Sequence, residues 1–321
     1  MRKRCSSGPF IVRGMPYYGI SPETDNRFSA QGATPLVLKN CMVEKSPKGS
    51  ARRSRYFIVP TPGRTLRATL QDNCRGLFSE PGCRDGKLFA PAGAYFNEVT
   101  SVYGYTSQGT LTGGDNVVMV PFRDDVAALS NGSIKFWDGT TFSTVSDGDA
   151  PAAPSTLASV AYRLVAAEAA GDGFSWSGAG TFNTWDASGS AADIYLPDPI
   201  VGQYEIGGDL WSFNSRSTQI WQATGGAESE AFALVPGATM RVGLAARDAI
   251  ARVGDGAMIL GHDRRVYRTS GSSLVAVENR DLEVALKSLT AADIAADARA
   301  YSYRKGAKEY WALTCGLERG F

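Results

Sequence analysis

The chain carries one histidine in 321 residues, His262. That scarcity removes most metal and nucleophile chemistry at once. A zinc site assembled from His and Cys needs several such ligands at short spacing, and no C-x-x-C pair occurs. A Ser-His-Asp network would have to be built on His262, which sits in the turn-forming run Gly261-His-Asp-Arg264, where an imidazole is expected to face solvent without partners. There is no P-loop. Gly171-Asp-Gly173 is a Gly-x-Gly pattern, but it does not open a helix after a strand, so no dinucleotide site follows. No Asp-x-Asp-x-Asp-Gly calcium loop is present. No cofactor and no metal are implied.

Long apolar runs are missing too. None approaches the ~18–20 residues of a membrane span. The basic start Met1-Arg-Lys-Arg4 leads into Cys5-Ser-Ser-Gly8 rather than an apolar core, which is not the layout of a signal peptide. Cysteine is sparse and odd in number: Cys5, Cys41, Cys74, Cys83 and Cys315. Irregular spacing argues for reduced thiols in a protein assembled in the cytosol. Cys74 and Cys83 flank the turn Ser79-Glu-Pro-Gly82 and have two readings, a bridge across a hairpin or two small buried hydrophobes.

What the chain has is glycine, 36 residues, and a 43% hydrophobic content. Many tight turns around a real core are expected. It also repeats itself. A pair of short apolar strands, the second ending in Trp or Tyr, recurs four times: Val126–Leu129 with Ile134–Trp137, Tyr162–Val165 with Phe174–Trp176, Leu210–Phe213 with Gln219–Trp221, and Ala257–Leu260 with Arg265–Tyr267. The spacing of about 40–50 residues is that of a propeller blade. Turn signals fall between the strands, with Ser130-Asn-Gly132 the strongest, because Asn-Gly populates the type I′ turn that matches strand twist. Trp137, Trp176, Trp211 and Trp221 sit on or beside these pairs, so packing between blades accounts for them better than carbohydrate or base stacking.

The expected fold is all-β, a β-propeller-like repeated meander with one short helical segment near 280–297. Arg280–Lys287 is amphipathic, and Thr290 with Asp293 forms a capping pattern. A last hairpin, 298–303 with 309–313, turns at Lys305-Gly306. Earlier, Leu36–Glu44 and Arg55–Val59 read as strands around a basic loop. Residues 1–34, without periodicity and rich in turn formers, read as an N-terminal arm; 35–321 form the body.

The net charge of +1 hides an asymmetry. Residues 1–70 carry 13 Lys or Arg against three acids, whereas 138–209 carry ten acids and one base, Arg163. The acidic pairs Asp124/Asp125 and Asp147/Asp149 admit an enzyme alternative, a propeller-type glycan-binding or glycoside-cleaving protein. In a turn-rich chain they read more simply as solvated loop or Asx-turn residues, and no enzyme is expected.

Several stretches stand out together: Ile206–Gly225, Val242-Gly-Leu-Ala-Ala-Arg-Asp248, Gly256–Tyr267, Leu289-Thr-Ala-Ala-Asp293, and Asn40-Cys-Met-Val-Glu44 with Pro62-Gly63. They resemble the packaged-DNA stabilisation protein family of short-tailed bacteriophages, the tail hub or nozzle proteins. The resemblance covers roughly 36–313, and the order of the motifs carries it. It implies a propeller-like virion structural protein of the tail, assembled in the host cytoplasm. Its implied partners are copies of itself in a ring, typically a hexamer, the portal and adaptor ring above, and distal needle, fibre or spike proteins. Double-stranded DNA would pass through transiently.

A conduit must let DNA slide. Lys and Arg neutralise phosphates and grip, so a lumen should be acidic or neutral. Asp138, Asp147, Asp149, Asp172 and Asp186 are the lumen candidates. Lys45, Lys48, Arg52, Arg53 and Arg55 are the interface candidates, expected to meet a neighbouring subunit or the adaptor ring. From the residues alone, that loop reads equally as a contact for nucleic acid or acidic protein and as a solvated hairpin tip.

Overall fold

A computed structural model describes the strands at 41–45 and 56–60, and residues 69–192, 196–278, 280–305 and 308–315. The chain divides into two compact units, residues 1–66 with Phe321 and residues 67–320. In the first, β1 (Cys41–Lys45) pairs antiparallel with β2 (Tyr56–Pro60), Cys41 opposite Pro60. The expected boundary at 34/35 lies outside the described residues.

The second unit is a succession of antiparallel sheets. The first holds β3 (Leu88–Phe89), β4 (Tyr95–Val99) and β5 (Tyr105–Thr110). The irregular segment 74–78 adds to its edge: Phe78 and Phe89 exchange backbone hydrogen bonds of 3.0 and 2.8 Å, and Arg75 N donates to Pro91 O at 2.8 Å. Four four-stranded meanders follow. They are β6 (Val118–Phe122), β7 (Asp125–Ser130), β8 (Ser133–Trp137) and β9 (Phe142–Thr144); β10 (Pro154–Val160), β11 (Arg163–Glu168), β12 (Gly173–Ser177) and β13 (Trp185–Ala192); β14 (Ile200–Ile206), β15 (Asp209–Asn214), β16 (Thr218–Ala223) and β17 (Phe232–Leu234); and β18 (Ile250–Val253), β19 (Gly256–Leu260), β20 (Val266–Ser270) and β21 (Ser273–Ala276). Helices α1 (Arg280–Lys287) and α2 (Ala291–Asp297) lead to β22 (Arg299–Lys305) and β23 (Lys308–Thr314), which among the described residues pair with each other alone.

The expected β-propeller is what the chain forms; among the described residues α-helix occurs within 280–297 alone, with single 3-10 turns at Arg84–Gly86 and Glu228–Glu230. The four repeated pairs are the second and third strands of the four complete meanders. Their second strands are buried on both faces, and alternation sorts the side chains. In β7, Val126 and Ala128 join the core against the first sheet, with Phe89, Phe96 and Trp137, while Ala127 and Leu129 join the core against the third, with Leu157, Leu164 and Trp185. In β11, Leu164 and Ala166 face back, whereas Val165 and Ala167 face forward to Trp176, Leu210 and Trp221. Each of these inter-sheet cores draws on two neighbouring sheets, as blades stacked face to face require, and a last core joins the fourth and fifth sheets to the helices and β23. Each large side chain fully buried here contributes about 1.5–3 kcal/mol.

Turn chemistry holds where it was expected. Asn131 and Gly132 both take positive φ, 46° and 70°. The β10–β11 turn adopts the same handedness with Ala161 (φ 49°) and Tyr162 (φ 60°), residues that do not favour it. Tyr162 therefore belongs to the turn, 70% exposed, and not to the strand its apolar character suggested. Thr290 caps α2 as foreseen: its Oγ1 accepts from Asp293 N at 3.1 Å, and its own N donates to Asp293 Oδ2 at 3.1 Å. Gly306, the expected last turn, lies outside the described residues.

One buried cation fastens the first sheet to the second. Arg75, 6% exposed, donates to the carbonyls of Asp115 (2.6 Å), Gly93 (2.7 Å) and Thr112 (3.1 Å), to Asp115 Oδ1 (2.8 Å) and to Ser130 Oγ (2.6 Å). Nε, Nη1 and Nη2 each donate, which is what burial of a charge demands.

Candidate functional site

The first strands of neighbouring sheets touch: β6 with β10, β10 with β14, and β18 with β22. Where they converge, the turn before β18 forms a polar hub. Arg247 donates from Nη1 to Ser155 O (3.3 Å), from Nη2 to Asn116 O (3.1 Å) and from Nε to Asp248 Oδ1 (3.3 Å). Asn116 Nδ2 donates to Asp248 Oδ2, Tyr204 OH donates to Arg247 O, and Ala300 N donates to Asp248 O at 2.7 Å. Asn116 precedes β6, Ser155 is the second residue of β10, Tyr204 lies in β14 and Ala300 in β22, so one turn reaches strands of three other sheets and the approach to a fourth. Burial, with Asp248 adding and Arg247 opposing, pushes the Tyr204 phenol up, so it stays neutral and donates.

The approach to this hub requires glycine at one position. A Cβ on Gly243 would lie 2.4 Å from Arg216 N and from Asn214 O. Gly243 N instead donates to His262 Nδ1 at 3.1 Å, and His262 N donates to Gly243 O at 2.9 Å. The lone histidine is exposed, as expected, but it is not without partners: it clips two turns together.

A glycosidase needs two carboxylates flanking a substrate. At the hub, Asp248 is committed to Arg247 and Asn116. Asp125 pairs with Arg84 at 3.2 Å; burial raises its carboxyl, against the lowering by Arg84. Asp124 Oδ1 accepts from Arg84 N at 3.2 Å. Asp147 accepts from Asp149 N (3.0 Å) and Trp185 N (3.2 Å), which makes it a turn-former. Among the described residues no group of three or more His, Cys, Asp or Glu is placed to hold a metal ion.

The tryptophans pack. Trp176 and Trp211 are fully buried, and Trp137, Trp185 and Trp221 nearly so; Trp176 Nε1 donates to Glu228 O at 2.9 Å. Cys74, Cys83 and Cys315 are free thiols. Cys83 is buried, as the second reading of that pair held, and burial pushes its thiol up to about 12; Cys74 is exposed.

The acidic candidates lie on loops and outer strands. Asp147 and Asp149 occupy the β9–β10 connection and Asp172 the β11–β12 turn, both at the end of the sheets where the first strands begin. Asp149 and Glu168 share an open cleft of about 380 Å³ with Gly171 and Gly173, which flank Asp172. Asp138 lies in the β8–β9 turn and Asp186 on β13, near the other end. Backbone N–H groups of Thr141 and Thr140 hold the Asp138 carboxyl below the ordinary range, and Ser188 does the same for Asp186. Of the basic candidates, Lys45 ends β1; Lys48, Arg52, Arg53 and Arg55 lie outside the described residues.

The terminal hairpin was foreseen as strands but not as a surface. Its register sets Tyr303 opposite Tyr310 and Tyr301 opposite Ala312. The rings run in series, Tyr303 stacked on Tyr310 at 5.1 Å and Tyr301 tilted by 31° against Tyr303 at 6.3 Å. The other face turns Trp311 and Leu313 toward the core. Tyr301 and Tyr303 are 44% and 40% exposed. The alternation Tyr301-x-Tyr303 in the sequence was the signal for it.

Among solved structures, the chain is similar to YCF48 from Cyanidioschyzon merolae, at 10% identity and a TM-score of 0.45, covering 71% of this chain and 77% of that one. It is likewise similar to YCF48 bound to D1 peptide, at 11% identity and a TM-score of 0.44, covering 72% and 73%. No curated protein sequence matches. A family model described as bacteriophage P22 Gp10, β-propeller, matches residues 38–314, from just before β1 to the last residue of β23. With that match spanning most of the chain and the sheet succession it describes present in the fold, the protein belongs to the phage stabilisation family of P22 Gp10 β-propellers.

Proposed function

We propose that this protein is a ring-forming tail component of a short-tailed phage virion. It sits as a homo-oligomer, a hexamer by family resemblance, below the portal and adaptor ring. It helps retain packaged DNA, forms part of the ejection conduit and carries distal needle, fibre or spike proteins. The observation that carries this reading is the family match over 38–314. The family is one of phage structural proteins, and the described carboxylates support a scaffold: they make turns and ion pairs rather than converge on a substrate.

The exposed acids suit a conduit. Asp138 and Asp186, held ionised by local hydrogen bonds, and Asp149 and Asp172 would repel phosphates and let duplex DNA slide past. The basic segment Lys45 to Arg55 is assigned to the adaptor or a neighbouring subunit. The test uses DNA-filled heads assembled without this protein. Added protein is expected to render their DNA resistant to leakage and nuclease, and to appear as a ring beneath the portal in electron micrographs. Heads that keep leaking, with the protein unbound, would overturn the reading.

A further inference from the structure

Every meander between the first sheet and the helices has four strands; β22–β23 has two. In the complete meanders the aromatic residues of the repeated pairs, Trp137, Trp176, Trp221 and Tyr267, are buried between sheets. In the terminal hairpin the equivalent apolar investment, Tyr301 and Tyr303, stands in solvent. Stacked, exposed tyrosines beside arginine have the composition of an interface core.

Charge says what covers them. Residues 299–314 hold Arg299, Arg304, Lys305 and Lys308 against Glu309 alone. Arg299 is exposed and shares the face of Tyr301 and Tyr303, whereas Arg304 alternates onto the other face, 3.7 Å from Glu309. The complementary surface is on the same protein. Asp149, Glu168 and Asp172 are exposed together around the cleft at the β9–β10 and β11–β12 connections, within the stretch 138–209 that holds ten acids and one base. Duplex DNA would use the cations but offers no apolar face for the Tyr301 and Tyr303 rings; a protein surface uses both.

We propose that the β22–β23 face of one copy docks on the acidic β9–β10/β11–β12 end of a second copy. The two patches differ, so the contact is heterologous and head to tail, and it propagates into a closed ring when the rotation allows. This rests on the ring reading above and names its interface.

Charge exchange tests it. One variant is Arg299→Glu; the other is Asp149→Lys/Asp172→Lys. None of the three side chains is buried, so circular dichroism and melting should match the parent. Sedimentation velocity is expected to show the parent assembled and each variant weakened at least tenfold in self-association. The three-substitution chain, and an equimolar mixture of the two variants, should assemble again, the mixture only as even-numbered alternating rings. Variants that assemble like the parent, or a three-substitution chain that stays dissociated, would overturn the interface while leaving the ring intact. A parent that stays monomeric would overturn the ring reading and this interface together. A hairpin variant that assembles normally but loses duplex affinity in a gel shift would reassign the face to DNA.

Discussion

Strands β11 and β22 have similar lengths and opposite fates. β11, Arg163–Glu168, is buried along nearly its whole length, with apolar side chains on both faces. β22, Arg299–Lys305, begins with polar and aromatic alternation and exposes Tyr301 through Arg304 in succession. Neighbours make the difference. β11 lies inside a four-strand sheet sandwiched by two others, whereas β22 is half of a two-stranded sheet. The interior strands spend their side chains on stability, and the terminal hairpin keeps one face for something outside the chain.

Substitutions can break that contrast or sharpen it. The largest effect is expected from Trp176→Ala, which opens a cavity between Phe174, Phe232 and Trp221 and removes a bond to Glu228. Denaturant melts should show a loss of about 3–5 kcal/mol. Arg75→Met follows. It keeps the volume but strands three carbonyls and Asp115, and since Asp115 is partly solvated the cost is about 2–4 kcal/mol.

Asp198 comes next. Burial raises its carboxyl, but bonds from Ser217, Arg216 N, Asn214 and Ser215 outweigh that, and the net shift is downward. A depressed folded pKa stabilises above the unfolded value of about 3.9 and loses that contribution as pH falls through the folded value. Asp198→Asn should therefore cost about 1–2 kcal/mol at neutral pH, and the gap to the parent should close on acidification below about pH 4. A gap constant across pH 3–7 would refute the assignment. The smallest change in stability belongs to Tyr301→Ser, within about 0.5 kcal/mol. If it destabilised the monomer as Trp176→Ala does, the hairpin face would be structural and the contrast false.

The second and third strands of each meander were legible because both faces are buried and the third ends in an aromatic. The first strands were not: β10 and β14 mix Ser, Thr, Gly and Gln with apolar residues, because they pack against one another near the hub. The fourth strands are short or exposed, as β13 shows with Asp186, Ser188 and Ser190. Tyr162 misled because apolar character was taken for strand when the turn, closed by its neighbours, dictated its backbone. Of the functional surfaces, the acids and the Tyr301/Tyr303 alternation were visible as residues. The hub was not, although Val242–Asp248 was part of the family resemblance: Arg247 bonds to carbonyls of Ser155 and Asn116, and a backbone acceptor leaves no mark in a sequence.

That hub changes how the molecule can fail. Sheets that touch only their neighbours behave as a row in which disorder can start at either end and spread one sheet at a time. A single turn bonded to the segment before β6 and to strands of the third, fourth and sixth sheets gives the row a common axle. Loss of any rim segment is then felt at the centre, and partial opening gives way to a single cooperative transition. For a member of a phage stabilisation family, resistance to piecemeal fraying is the property such an axle confers.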